Sequence, residues 1–174
     1  MLTSNRVYLN LRWSAILPLL LFTPAVVAFF VAPDVWWGEY LGIFFHLAIL
    51  FLVSRLDAAQ WSRACGYAWV ALDVLAGVLM INGIDYEIAW TVRLGAHVMA
   101  GVWIVSSSLV ARSWVIRTIG VVTGLWLAGY SLVAPQLGEE FLRPAGILIL
   151  VWFGAIAATA NTRRPQPLAA MQEA

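Results

Sequence analysis

Hydrophobic residues along the chain form six long runs, separated by short polar segments. They cover about residues 13–32, 40–53, 64–82, 88–110, 115–134 and 144–160. Each run is near the roughly 20 residues that an α-helix needs to cross the hydrocarbon core of a bilayer. The pattern therefore predicts an all-α fold, a polytopic membrane bundle of six transmembrane helices.

The runs and their connections leave little sequence for anything else. We expect residues 1–160 to form a single six-helix transmembrane domain and residues 161–174 to form a flexible cytoplasmic tail. Hydrophobic residues make up 63% of the 174 positions and charged residues 11%, which is typical of an integral membrane protein. Any function must therefore reside in the bundle or at its surfaces.

The distribution of arginine predicts how the bundle is oriented. All ten basic residues are arginine. Only Arg93 and Arg143 lie toward the side of the bundle opposite the two chain termini. The other eight are Arg6, Arg12, Arg55, Arg63, Arg112, Arg117, Arg163 and Arg164. By the positive-inside rule, both termini lie in the cytoplasm. We expect a multi-pass protein of a bacterial-type plasma (inner) membrane.

The opposite helix ends carry most of the acidic residues, which supports this orientation. These residues are Asp34, Glu39, Asp85, Glu87, Glu139 and Glu140. The expected partner is the lipid bilayer, and a homo-oligomer or a partner membrane subunit is compatible with the pattern. Because the basic residues form no continuous stripe, the sequence predicts no nucleic-acid binding.

Tryptophan residues stand close to several predicted span ends. They are Trp13, Trp36, Trp37, Trp61, Trp90 and Trp114. Indole side chains are enriched at membrane interfaces, so we interpret them as interfacial anchors. The single cysteine, Cys65, excludes an intramolecular disulfide and is interpreted as a small packing residue.

Four ionisable side chains and one tyrosine are predicted to lie at membrane depth. Asp73 and His46 fall near the middle of their spans, while Arg93, His97 and Tyr130 fall nearer the outer face. An ionisable residue inside a span is costly, so each one indicates a functional site. We expect the five to converge on one polar cavity that opens to the outer face.

Glycine spacing predicts where the helices approach each other closely. Gly66 and Gly77 share a helical face with Asp73, so this carboxylate is expected to face protein and not lipid. Gly120 and Gly124 form a G-x-x-x-G pattern, which serves either packing within the bundle or dimerisation.

The polar cavity favours a transporter, a channel or a membrane-embedded binding component for a small solute or ion. In this reading Asp73 and a histidine exchange a proton or compensate a bound ion, while Arg93 attracts an anionic group. The substrate- or ion-binding candidates are Asp73, Arg93, His97, His46 and Tyr130. This hypothesis needs no cofactor and no metal.

Two alternatives remain open. His46 and His97 lie on different helices at similar depth, as the axial ligands of haem b in an electron-transfer protein would, with Arg93 beside a propionate. Alternatively, Asp73 pairs with Arg93 or a histidine only to fix helix packing, and the protein is a structural or partner-binding membrane subunit.

Motifs of common membrane enzymes are absent from the sequence. There is no H-E-x-x-H, no G-x-S-x-G and no P-loop. A single mid-membrane carboxylate, Asp73, cannot form the carboxylate dyad of an intramembrane aspartyl protease. The sequence therefore favours a protein without catalytic residues.

Overall fold

The computed structural model describes residues 10–32, 35 and 37–160. Within these ranges the regular structure is entirely helical, with no strand. Several positions used in the sequence predictions lie outside the described residues. They are Arg6, Asp34, Trp36, Arg163, Arg164 and the whole of 161–174.

Six α-helices make up the described chain, and all six are long and apolar enough to cross a membrane. They are α1 (Leu11–Val31), α2 (Gly38–Arg55), α3 (Gln60–Ile81), α4 (Tyr86–Leu109), α5 (Trp114–Val133) and α6 (Arg143–Thr159). Two short 3-10 helices, Ala134–Gln136 and Glu139–Leu142, connect α5 to α6. The prediction of six apolar helices is confirmed, and the architecture is compatible with a multi-pass membrane protein.

Local chemistry explains where helices begin and end. The side chain of Asn10 caps α1 by accepting a hydrogen bond from the backbone N–H of Trp13 at 3.0 Å. Asp85 caps α4 in the same way, accepting from the N–H of Glu87 at 2.9 Å. Between α3 and α4 the chain turns at Gly83, whose φ of 69° lies in the left-handed region that favours glycine.

The helices form a closed ring. Each helix packs against its neighbours in the chain, and α1 packs against α6 to complete the circle. We call one end of the ring the acidic end, because its connections and helix termini carry Glu39, Asp85, Glu87, Glu139 and Glu140. The opposite basic end carries Arg12, Arg55, Arg63, Arg112 and Arg117.

Five aromatic side chains fill the middle of the ring. Their ring centroids lie between 5.5 and 6.2 Å apart around a closed circuit, and all five are almost fully buried. We call this cluster the aromatic layer; it consists of Phe45, Trp69, Trp103, Trp152 and Phe153. Aromatic contacts of this kind stabilise a core beyond the area that they bury. The layer separates the interior near the acidic end from the interior near the basic end.

Close glycine contacts bring α4 and α5 together. A Cβ atom at Gly124 would lie only 2.7 Å from the carbonyl oxygen of Gly101, so these backbones touch. The G-x-x-x-G pattern that includes Gly120 thus serves packing within the bundle. Gly66 has a similar role, since a Cβ atom there would clash with Val53. Cys65 is partly buried against the core, as expected of a packing residue.

We expect Gly124→Ala to lower the free energy of unfolding by about 1–3 kcal/mol, because the added methyl group forces α4 and α5 apart. Gly129→Ala is the matched control on the same helix, since no atom lies within 4 Å of a Cβ built there. Thermal unfolding in detergent measures both variants. Equal melting temperatures for the two would contradict a tight α4–α5 contact.

Candidate functional site

A cavity of about 220 Å³ lies between the aromatic layer and the acidic end of the ring. One wall, from α1 and α6, is apolar apart from Arg143, while the other wall, from α2, α3 and α4, carries the buried charges. The side chains used below are Phe22, Phe29, Phe30, Glu39, His46, Trp69, Asp73, Trp90, Arg93, His97 and Arg143. Glu39 and Arg143 lie at the first turns of their helices, so the cavity reaches the acidic end.

Asp73 lies at the centre of the polar wall and is only 1% exposed. Its Oδ2 atom accepts a hydrogen bond of 2.5 Å from the indole N–H of Trp69, one turn earlier on α3. The same oxygen lies 3.1 Å from Nε2 of His46 on α2. The expectation that Asp73 faces protein is confirmed, and the carboxylate connects α3 to α2.

The contacts of His46 indicate which of its two ring nitrogens carries a proton. Its Nδ1 atom lies 2.7 Å from the backbone carbonyl oxygen of Gly42, and a carbonyl can only accept. Nδ1 therefore carries a proton. Its Nε2 atom faces the Asp73 carboxylate, which also accepts unless protonated. A hydrogen bond between His46 and Asp73 thus requires one further proton, on either Nε2 or the carboxyl group.

Arg93 bridges two carboxylates. Its two terminal nitrogens donate to the two oxygens of Glu39 at 3.1 and 2.6 Å, and its Nε atom lies 3.4 Å from Oδ1 of Asp73. A bidentate pair of this kind is strong and geometrically specific. The guanidinium is therefore already occupied by protein carboxylates, which differs from the predicted role of attracting an anionic solute.

His97 lies beside this network without completing it. Its Nε2 atom is 4.0 Å from Oδ2 of Asp73, longer than a hydrogen bond. Its Nδ1 atom is buried and has no hydrogen-bond partner. A second imidazole is therefore positioned close to the Asp73 carboxylate.

The network has a simple charge balance. Glu39 and Asp73 contribute two negative charges, and Arg93 contributes one positive charge. A proton shared by His46 and Asp73 would supply the second positive charge. With that proton present and His97 neutral, the polar wall carries no net charge; without it, one negative charge is buried and uncompensated, which is costly.

Tyr130 does not belong to the cavity. It is 5% exposed and lies one turn from the end of α5, whereas the residue that α5 contributes to the cavity lining is Leu127. Four of the five predicted residues therefore come together, and Tyr130 is not among the residues that line the cavity.

Three side chains of the wall formed by α2, α3 and α4 were missed or interpreted differently from the sequence. Glu39 was used only as an orientation signal, although it precedes His46 by seven residues, or two helical turns. Trp69 precedes Asp73 by four residues, which is also a same-face spacing. Trp90 was interpreted as an interfacial anchor, but it lines the cavity and stacks on Tyr86 at 6.1 Å. Same-face spacing was the available signal in each case.

Other tryptophans agree with the anchoring interpretation. Trp13, Trp61 and Trp114 expose 57%, 60% and 75% of their surface at helix ends. Their position is what an interfacial indole requires.

Comparison with known proteins does not identify a family. No family model matches the chain, and no curated protein or solved structure shows significant similarity to it. Among the residues that the structure describes, no group of histidine, cysteine and acidic side chains is arranged to hold a metal ion.

Replacing Asp73 is expected to separate its charge from its hydrogen bonding. Asp73→Leu removes the acceptor for Trp69 and His46 and should lower the free energy of unfolding by about 1–3 kcal/mol, the cost of unsatisfied buried groups. Asp73→Asn keeps a carbonyl oxygen for Trp69 and should cost less. Thermal unfolding in detergent measures both.

The control for these variants is the same pair of substitutions at Asp57, which is exposed in the α2–α3 connection. If Asp73→Leu melted like the unmodified protein, the contacts of the carboxylate would not stabilise the bundle.

Proposed function

We propose that the protein is a membrane carrier that binds a small solute in the cavity and couples its movement to the proton shared by His46 and Asp73. The observation that carries this proposal is that Nε2 of His46 lies 3.1 Å from the buried carboxylate of Asp73, in the wall of a cavity that reaches the acidic end. Titratable groups inside a membrane span are typical of proton relays in transporters. A solute that changes the balance of charge in the cavity would also change the affinity for that proton.

A path for the proton leads through the cavity itself, since Glu39, Asp73 and both histidines line it. Arg93 pairs with Glu39 and Asp73 and stays protonated throughout. The Nδ1 atom of His97 is buried and has no hydrogen-bond partner, so this imidazole has a nitrogen that is not engaged in a hydrogen bond.

The aromatic layer favours a carrier over an open channel. A second cavity of about 360 Å³ lies at the basic end, with Trp152 of the aromatic layer in its lining. Dense aromatic packing between the two cavities leaves no continuous aqueous path. Passage from one cavity to the other would require the helices to move, as in alternating access.

The orientation is part of the proposal. Arg12, Arg55, Arg63, Arg112 and Arg117 lie at the basic end, so the positive-inside rule favours a cytoplasmic basic end with both termini inside an inner membrane. The cavity would then open to the outside. A membrane-impermeant thiol reagent should label Glu140→Cys in intact cells; labelling only after lysis would reverse the orientation.

Proton movement in proteoliposomes tests the carrier. With a pH-sensitive dye trapped inside, small anions, cations and neutral solutes are added in turn. At least one class should drive proton entry through the unmodified protein, and Asp73→Asn should abolish that entry because the amide cannot hold the shared proton.

Glu87→Gln is the control, since this exposed carboxylate lines neither cavity, and it should retain proton entry. Asp73→Asn must remain folded, as judged by its melting temperature. Solute uptake with unchanged proton entry in Asp73→Asn would remove the coupling role.

Haem b ligation, the alternative from the sequence, has weaker support. The Nε2 atoms of His46 and His97 both face Asp73, so binding iron would require His46 to give up its contact with the carboxylate. An absorbance spectrum of protein produced with ample haem tests this alternative. We expect no Soret band; a band that disappears in both His46→Ala and His97→Ala would replace the carrier proposal.

The structural alternative rests on the same ion pairs. Glu39, Arg93 and Asp73 join α2, α3 and α4, as a purely structural network would. Such a network does not require an adjoining cavity. A colourless protein that moves neither solutes nor protons would support the structural role.

A further inference from the structure

The two arginines that line the cavity differ in whether protein carboxylates already pair with their N–H donors. Arg93 directs its donors at Glu39 and Asp73. Arg143, across the cavity on α6, has no ion pair with any carboxylate of the described residues, and its Nε atom is buried without a hydrogen-bond partner. Arg143 is therefore the cavity arginine with donors available for a ligand.

The guanidinium of Arg143 lies over the rings of two phenylalanines. Its central carbon lies 5.7 Å from the ring centroid of Phe29 and 5.4 Å from that of Phe30, both on α1. A guanidinium that contacts aromatic rings still presents its N–H donors along its edge, in a geometry that matches a carboxylate. Arg143 is also the first residue of α6, where the helix dipole favours an anion.

The rest of the wall formed by α1 and α6 is apolar. Phe22, Val26 and Ile149 line it together with the two phenylalanines beneath the Arg143 guanidinium. The cavity volume of about 220 Å³ is below the roughly 300 Å³ at which pockets for drug-sized ligands begin. A matching ligand is small, with a compact apolar body.

Charge limits the ligand to a single negative group. With the shared proton bound, the polar wall is neutral, and Arg143 adds one positive charge. A monoanion neutralises it. A second carboxylate would have to approach Glu39 or Asp73, and a cationic group would approach Arg143, so both are disfavoured.

From these observations we infer that the cavity binds a small organic monocarboxylate with an apolar body, and that Arg143 binds the carboxylate. The inference rests on the proposed solute-binding role of this cavity and names its substrate class. An anion and a proton together form a neutral cargo, which crosses a membrane at lower electrostatic cost than either alone.

Three probes of the same shape test the class of ligand: benzoate, benzamide and benzylamine. Calorimetry at pH 7 on the purified full-length protein in lipid nanodiscs measures their binding. Benzoate should bind at least tenfold more tightly than the neutral and cationic probes. Tighter or equal binding of benzylamine, or no benzoate binding to the folded protein, would overturn the inference.

Arg143→Gln tests the residue. Benzoate affinity should fall at least tenfold, while Arg12→Gln, an exposed arginine at the basic end, should leave it unchanged. Should Arg143→Gln fail to fold, Arg143→Lys keeps the charge but loses the planar fork, and it should weaken benzoate binding several-fold. Unchanged benzoate affinity in the folded glutamine or lysine variant would reject the role of Arg143.

The benzoate-binding experiment and the proton-entry experiment test separate claims, so either claim can be rejected while the other stands. Asp73→Asn leaves Arg143 in place, and benzoate binding requires no proton movement across a membrane. Proton entry driven by cations alone, with no benzoate binding, would keep the carrier and discard the monocarboxylate. Benzoate binding without proton entry would support the binding site and discard the coupling.

Discussion

A carboxylate that is almost completely buried among apolar helices needs partners, and Asp73 obtains them from three helices. Trp69 belongs to its own helix, His46 to α2 and Arg93 to α4. Because each contact depends on the rotation of the helix that provides it, one side chain fixes the relative orientation of α2, α3 and α4. Removing a single partner would leave a buried charge less well compensated, which is costly and makes this arrangement specific.

Different kinds of interaction therefore stabilise the two walls of the cavity. The wall of α2, α3 and α4 is joined by directional ion pairs, whose energy falls quickly when the geometry changes. Across the cavity, the described parts of α1 and α6 form no ion pair with those three helices and pack against their neighbours through apolar and aromatic contacts. Apolar contacts tolerate sliding better than a bidentate ion pair does. In the proposed carrier, α1 and α6 are therefore the side expected to move.

The sequence predicted the helices well because run length and hydrophobicity are local properties. It also identified Asp73, His46, Arg93 and His97, since an ionisable residue in an apolar run stands out without knowledge of its neighbours. The pairing of Glu39 with Arg93 depends on helix rotation and on which helices are adjacent, and neither is readable from one sequence. Arg143 was counted only as a topology signal for the same reason, because its availability becomes visible only when the partners of both arginines are known.

The closed ring has a consequence for how the protein is made. Five of its six helix contacts join consecutive segments, so each can form soon after the later segment leaves the translocon. The exception is the seam between α1 and α6, whose partners are separated by the whole length of the bundle. The contacts of Asp73 are complete once α4 is in place, whereas the apolar side of the cavity stays open until α6 has been made. The docking of α6 onto α1 is thus the step that closes the cavity.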